Sequence, residues 1–183
     1  TAAAESARSL GLTMVSFHAG FVPHDGSDPS RPKLVQRLLA IAEVYRRHGL
    51  ELLFETGQES ATTLLELLDE LHQRGGSNIG VNFDPANMIL YDMGDPIAAL
   101  RLLGRHVRQV HIKDARRTRT AGQWGEEVRV GTGEVDWQAF VTTLEAMDFT
   151  GPCMVEREAG RDRVADIAAA IGHVRGVMAR VGH

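Results

Sequence analysis

Glu55, Asp84, His111 and Glu156 each close a short apolar run: Leu52-Leu53-Phe54, Val81-Asn82-Phe83, Val110 and Met154-Val155. Amphipathic helical patterns separate the runs, so the four side chains fall at the same end of four strands that lie parallel. In a parallel α/β fold the carboxyl ends of the strands floor the active site. Two glutamates, an aspartate and a histidine converging there form an oxygen-rich, single-imidazole set suited to a divalent metal ion. Such an ion, chelated by a carbonyl and the adjacent hydroxyl oxygen, stabilises an enediolate. Glu55 or Glu156 then takes a proton and the other returns one from the opposite face. Singly, each residue has a plainer reading. Glu55 is a solvated or salt-bridged strand end, Asp84 a turn residue before Pro85, His111 a hydrogen-bonded core histidine, and Glu156 a partner for Arg157 or Arg161. Four aligned ends favour the metal.

The elements that position these residues alternate strictly. Thr1 to Leu10 reads as the tail of a helix ended by Gly11, and Thr13 to His18 as a strand. The loop Ala19 to Pro32 is long enough to suggest function. Lys33 to His48 is a helix with Leu34, Leu38, Ile41, Ala42 and Tyr45 inward, and Glu51 to Thr56 the next strand. Ser60 caps a helix through Gln73, with Leu64, Leu67, Leu68 and Leu71 facing the core. Ile79 to Asp84 is a strand, and Asp95-Pro96 starts a helix to about Gly104. Strand Val107 to Lys113 leads into a polar, glycine-rich loop, Asp114 to Glu134. Asp136 caps a helix that buries Trp137, Phe140, Val141 and Leu144; strand Cys153 to Glu156 and helix Asp162 to Val181 finish the chain. Five strands, each followed by a helix, imply right-handed crossovers and a parallel sheet. An open five-stranded sheet satisfies this pattern, and so do five of the eight units of a closed barrel.

Composition narrows the partners. A chain of 183 residues, 43% hydrophobic, fits a single domain, 1–183, with a real core. The net charge of −4 and the lack of a polybasic run argue against nucleic acid and against an anionic membrane surface. Arg116-Arg117-Thr118-Arg119 is the one dense cationic stretch and reads as an active-site loop. The single cysteine, Cys153, fits a reducing cytoplasm, and no apolar run approaches the ~20 residues of a membrane span. The chain opens on Thr1-Ala2-Ala3-Ala4, without an initiator methionine and in the middle of a helical pattern, so we expect the domain to be incomplete at its N-terminus.

The wording of the strand ends carries more. Leu53-Phe54-Glu55-Thr56, Val81-Asn82-Phe83-Asp84-Pro85-Ala86-Asn87, Val110-His111-Ile112-Lys113-Asp114, Val130-Gly131-Thr132-Gly133-Glu134-Val135-Asp136-Trp137 and Met154-Val155-Glu156-Arg157-Glu158 resemble, in order, the xylose isomerase-like TIM-barrel superfamily. Within it they are most similar to the sugar phosphate isomerase/epimerase group that includes ketose 3-epimerases. The resemblance implies a (β/α)8 TIM barrel of which this chain holds about the last five β/α units, strands four to eight. It implies one divalent ion (Mn, Mg, Co or Zn) on Glu55, Asp84, His111 and Glu156, with Glu55 and Glu156 as the proton-moving pair. Arg117, six residues after His111, matches an arginine held near substrate oxygens. Asn87 departs from the histidine that related enzymes often carry three residues after the metal aspartate; it can hydrogen-bond a hydroxyl but carries no charge.

Three further readings stay open. His18, ending the first strand, either reaches the substrate or bonds a loop. Trp124, between Gly122 and Gly125, either covers the sugar or anchors its loop. Lys113 and Asp114 either pair with each other or support His111. The expected activity is a metal-dependent sugar isomerase or epimerase working on a small, optionally phosphorylated ketose or aldose. The alternatives are a dehydratase on the same barrel, of the inosose or dehydroshikimate type, and a non-catalytic barrel fragment. An endonuclease IV-type nuclease needs a histidine-rich multinuclear site and a basic face, which this acidic chain lacks. The expected partners are a small sugar and a second copy of the chain, in a homodimer.

Overall fold

A computed structural model describes residues 2–120 and 122–181. In chain order the elements are α1 (Ala2–Ser9), β1 (Met14–Phe17), α2 (Arg31–Arg47), β2 (Glu51–Glu55), α3 (Ala61–Gln73), β3 (Ile79–Phe83), α4 (Pro85–Leu90), α5 (Pro96–Leu103), β4 (Val107–Ile112), β5 (Asp114–Arg116), β6 (Glu126–Val128), α6 (Trp137–Ala146), β7 (Cys153–Val155) and α7 (Arg163–Val181). Five of the strands form one parallel sheet in the order β1-β2-β3-β4-β7, curled as part of a TIM barrel. β1 and β7 are its edges. Cys153 and Met154 on β7 are therefore exposed, whereas all five residues of the central β3 are buried.

The helix starts follow their side chains. Ser60 Oγ accepts from the Thr63 amide, Asp95 Oδ1 from Ala98 and Asp136 Oδ1 from Ala139, each meeting an amide that the first helical turn leaves unpaired. Leu64, Leu67, Leu68 and Leu71 of α3 are all buried, as are Trp137, Phe140, Val141 and Leu144 of α6. Truncating any of these leucines to alanine would cost about 2–5 kcal/mol. On α2 the inward stripe runs through Val35, Leu38 and Ala42; Ile41, expected inward, is 38% exposed. The buried row Arg31, Val35, Leu38 and Ala42 steps by four, three and four residues, which leaves Ile41 at its edge.

Two elements depart from the strict alternation. The six-residue α4 follows β3 directly, started by Asp84 with Pro85 in its first turn. The stretch expected to be one long loop folds back as the antiparallel pair β5–β6, with Ala115 opposite Glu127. Among the described residues no helix is long and apolar enough to cross a membrane.

Candidate metal centre

The parallel register brings four strand ends together. Glu55 ends β2, Asp84 follows β3, His111 lies one residue before the end of β4, and Glu156 follows β7. One ligand atom from each falls within 4.8 Å of the others. His111 Nδ1 stands 2.9 Å from Glu156 Oε2, 3.4 Å from Asp84 Oδ2 and 3.6 Å from Glu55 Oε1. The sheet order sets Glu55 and Glu156 on opposite sides of Asp84 and His111.

Each candidate ligand is held by its neighbours. Asp84 Oδ1 accepts from the Ala86 and Asn87 amides at 2.8 and 3.0 Å, which fixes the carboxylate and leaves Oδ2 pointing elsewhere. The Thr56 hydroxyl accepts from the Asp84 amide and donates to the Asp84 carbonyl, tying β2 to β3 at their ends. His111 Nε2 meets the Asn82 side-chain amide at 2.9 Å, and Gln109 Nε2 donates to Asn82 Oδ1. Asn87 Nδ2 donates to Glu55 Oε1 at 3.0 Å. The Glu156 amide donates to the Ile112 carbonyl, extending the β4–β7 ladder to the ligand itself.

Asp84 Oδ2 and His111 Nδ1 are buried and have no aligned hydrogen-bond partner. Two such atoms in a native interior require an explanation, since each forfeits its hydration. A divalent cation bonded to both supplies one, and a set of three carboxylates and one imidazole suits Mg, Mn, Co or Zn. The local field agrees. Burial pulls the His111 ring down, but the Asp84 and Glu156 carboxylates more than offset it, and its pKa is pushed up to about 10. The same carboxylates attract any cation placed there. Burial raises Glu55, whereas the His111 ring, and after it Lys113, hold Glu156 at about 2. Two carboxylates in one site thus have environments that push them apart.

Lys113 belongs to this centre. Its side chain is 4% exposed, and Nζ lies 3.1 Å from both Glu156 Oε2 and Glu158 Oε2, and 3.7 Å from Asp84 Oδ2. It does not pair with Asp114. Asp114 instead accepts from the amides of Ala115, Gly131, Gly133 and Val135 and from Trp137 Nε1, and so anchors the glycine-rich loop. A Cβ on Gly133 would collide with that carboxylate. Glu156 pairs with neither Arg157 nor Arg161 among the described residues; Arg157 is taken up by Glu127 and Asp166.

The remaining candidates divide. His18 Nε2 stands 3.8 Å from Glu55 Oε1 with its side chain 54% exposed. Asn87 is buried against Glu55. Arg117 donates to Asp92 Oδ1 and the Gly94 carbonyl, so its guanidinium is engaged with the turn between α4 and α5. Trp124 is exposed and packs edge-on to Tyr91, 5.0 Å between ring centres, beside a cleft of about 360 Å³. Residues not foreseen at the centre are Thr56, Asn82 and Glu158. Asn82 carried a signal: it shares a strand face with Asp84 two residues on, and is a polar residue inside an apolar run. Strand alternation likewise sets Lys113 on the His111 face.

The sequence matches the xylose isomerase-like TIM barrel family over residues 1–177. The uncharacterised protein YihM of Escherichia coli is 30% identical over 105 residues, 57% of this chain and 31% of that protein. A xylose isomerase domain protein from Planctomyces limnophilus has a crystal structure that superposes with a TM-score of 0.88 at 37% identity, covering 98% of this chain and 63% of that one. A D-tagatose 3-epimerase-like protein (TM-score 0.78, 18% identity, 98% and 67% covered) shares the fold. So does the probable 3-DHS dehydratase AsbF of Bacillus anthracis (0.73, 18%, 93% and 66%). The chain spans about a third of the curated relative and less than two thirds of the Planctomyces protein. It belongs to the xylose isomerase-like TIM-barrel family.

Proposed function

We propose that this protein is a divalent-metal-dependent sugar isomerase or epimerase acting on a small ketose or aldose. The observation that carries the reading is the convergence of one ligand atom each from Glu55, Asp84, His111 and Glu156 within 4.8 Å, with Asp84 Oδ2 and His111 Nδ1 buried among them. Glu55, Asp84, His111 and Glu156 would hold the ion, which when bound supplies positive charge for the oxygens of a carbonyl and its neighbouring hydroxyl. Glu55 and Glu156 flank Asp84 and His111 in the sheet order, and each would take or return a proton on its own side of a bound substrate. Removal on one side and return on the other inverts a carbon alpha to the carbonyl. Lys113 neutralises Glu156 and Glu158, and Asn87 orients Glu55.

Lys113 also favours a second reading, metal-dependent dehydration. Elimination needs stabilisation of the departing hydroxyl, and the buried Lys113 ammonium, which Asp84 and Glu156 keep protonated, would hydrogen-bond that oxygen while a glutamate supplies its proton.

The test is to load the protein with Mn²⁺ and incubate it with a panel of ketoses and aldoses in deuterated water. Epimerisation or isomerisation returns solvent deuterium to carbon; dehydration gives a conjugated carbonyl absorbing in the ultraviolet. Neither product, with metal bound and with the Asp84→Asn, His111→Ala variant as the blank, would refute both readings.

A further inference from the structure

Glu156 is the ligand with the least regular structure around it. β7 ends one residue earlier, and no helix follows until Arg163. What fixes the segment is a carboxylate from another part of the chain. Glu127, in the middle of β6, is 8% exposed at its side chain. Its Oε1 accepts from the Glu158 amide at 3.1 Å and from Arg157 Nη1 at 2.8 Å, and its Oε2 accepts from the Ala159 amide at 3.2 Å. Arg157 turns its Nε to Asp166 on α7, 2.9 Å away, so its guanidinium bridges β6 to the last helix. Three N–H groups from the three residues after Glu156 thus converge on one buried carboxylate.

The hairpin bearing Glu127 also touches the other ligand segments. β5 continues from β4, three residues after His111, and the Gly125 amide beside β6 donates to the Leu90 carbonyl at the end of α4, the helix that Asp84 starts. One brace therefore spans the segments of Asp84, His111 and Glu156.

We infer that Glu127 is a positioning residue for the metal ligand Glu156, locking the segment 156–159 so that its carboxylate faces Asp84 and His111. This rests on the metal reading proposed above. Groups that orient metal ligands through hydrogen bonds typically change metal affinity about 10–100-fold when removed. Charge-assisted bonds to a buried carboxylate are the strong kind, and alanine leaves Arg157, itself 9% exposed, with Asp166 alone.

The experiment is calorimetric titration of Mn²⁺ into wild type, Glu127→Ala, Glu127→Gln and Glu126→Ala, with thermal melts of each. The visible spectra of the Co²⁺-loaded forms are recorded beside that of Glu156→Ala. Glu127→Ala should bind Mn²⁺ at least ~10-fold more weakly, with a Co²⁺ spectrum shifted toward that of Glu156→Ala. Glu127→Gln keeps one accepting oxygen and should fall between alanine and wild type, which also tests the idea if the alanine variant fails to fold. Glu126→Ala, the exposed neighbour on the same strand, should match wild type. Affinity within twofold of wild type and an unchanged Co²⁺ spectrum in the folded Glu127 variants, with or without a lower melting temperature, would overturn the inference. Wild type binding no Mn²⁺ would overturn the metal reading and this inference with it.

Discussion

Asn87 reaches back from the first turn of α4 to donate through Nδ2 to Glu55 Oε1, 3.0 Å away, and to the Thr56 carbonyl at the same distance. The residue three positions after one candidate ligand therefore orients another, and its own amide donates to Asp84 Oδ1. Asn87→Ala should free Glu55 to rotate and weaken Mn²⁺ binding by about tenfold. Asn87→Asp should do worse, since it sets a second carboxylate against Glu55 and loses both donated bonds. Calorimetric titration of the two variants checks the order; an aspartate that binds Mn²⁺ as well as asparagine would show that the Asn87 amide does not hold Glu55.

Lys113 has two glutamate partners at equal distance, yet they should not be equal in energy. Glu156 is 29% exposed at its side chain and Glu158 71%. Lys113→Met strands Asp84 and Glu156 without their buried cation, and removing one member of a buried pair costs roughly 3–5 kcal/mol. Glu158→Gln removes a solvent-screened partner and should cost less than about 1 kcal/mol. Urea unfolding in the presence of EDTA measures both. Equal losses would mean that Lys113 is anchored by Glu158 rather than by the centre.

Asp114 offers a separate test, away from the ligands' charges. Its two oxygens serve five donors, so an amide at that position must point its NH₂ at other N–H groups. Asp114→Asn should cost roughly 3 kcal/mol, because bonds to an ionised acceptor contribute about 1.5–3 kcal/mol each and some are lost outright. Trp137 loses its Nε1 acceptor, so its fluorescence should shift. Trypsin should cut faster at Arg116, Arg117, Arg119 and Arg129 once the loop is unpinned. An unchanged digestion rate would contradict the anchoring role.

The strand ends were legible because a short apolar run closed by a polar residue is a local pattern, and so is helix capping by Ser60, Asp95 and Asp136. The roles of Lys113 and Asp114 were open to the same arithmetic. Adjacent strand residues face opposite sides, so these two do not pair, and Lys113 shares the His111 face. The hairpin was not legible. β5 and β6 lack an apolar alternation and are held by a nine-residue return, by Asp114 and by the contact of Gly125 with Leu90. At six residues, α4 is too short to display a helical period. The bonds of Arg117 to Asp92 and Gly94, 25 and 23 residues earlier, and of Glu127 to the segment 30–32 residues later, leave no trace in local pattern.

Glu59 predicts an unusual pH dependence of stability. It sits just before the Ser60 cap, 6% exposed, with no ion pair among the described residues, and burial pushes its pKa up from 4.5 to about 7. An unfolded chain ionises this carboxyl near 4.5, while the folded protein keeps the proton up to about 7. The folded state therefore holds more protons between those values. The Glu59 contribution to stability falls as pH rises through that window and levels off above it. The separation corresponds to roughly 3 kcal/mol. Glu59→Gln keeps the shape of the protonated acid and has no charge to bury. Its stability relative to wild type should be near zero at pH 4.5 and grow to roughly 3 kcal/mol in its favour by pH 8. Urea unfolding of the two proteins across pH 4.5–8 checks this; a difference that stays constant with pH would mean that Glu59 finds a compensating charge in the folded protein.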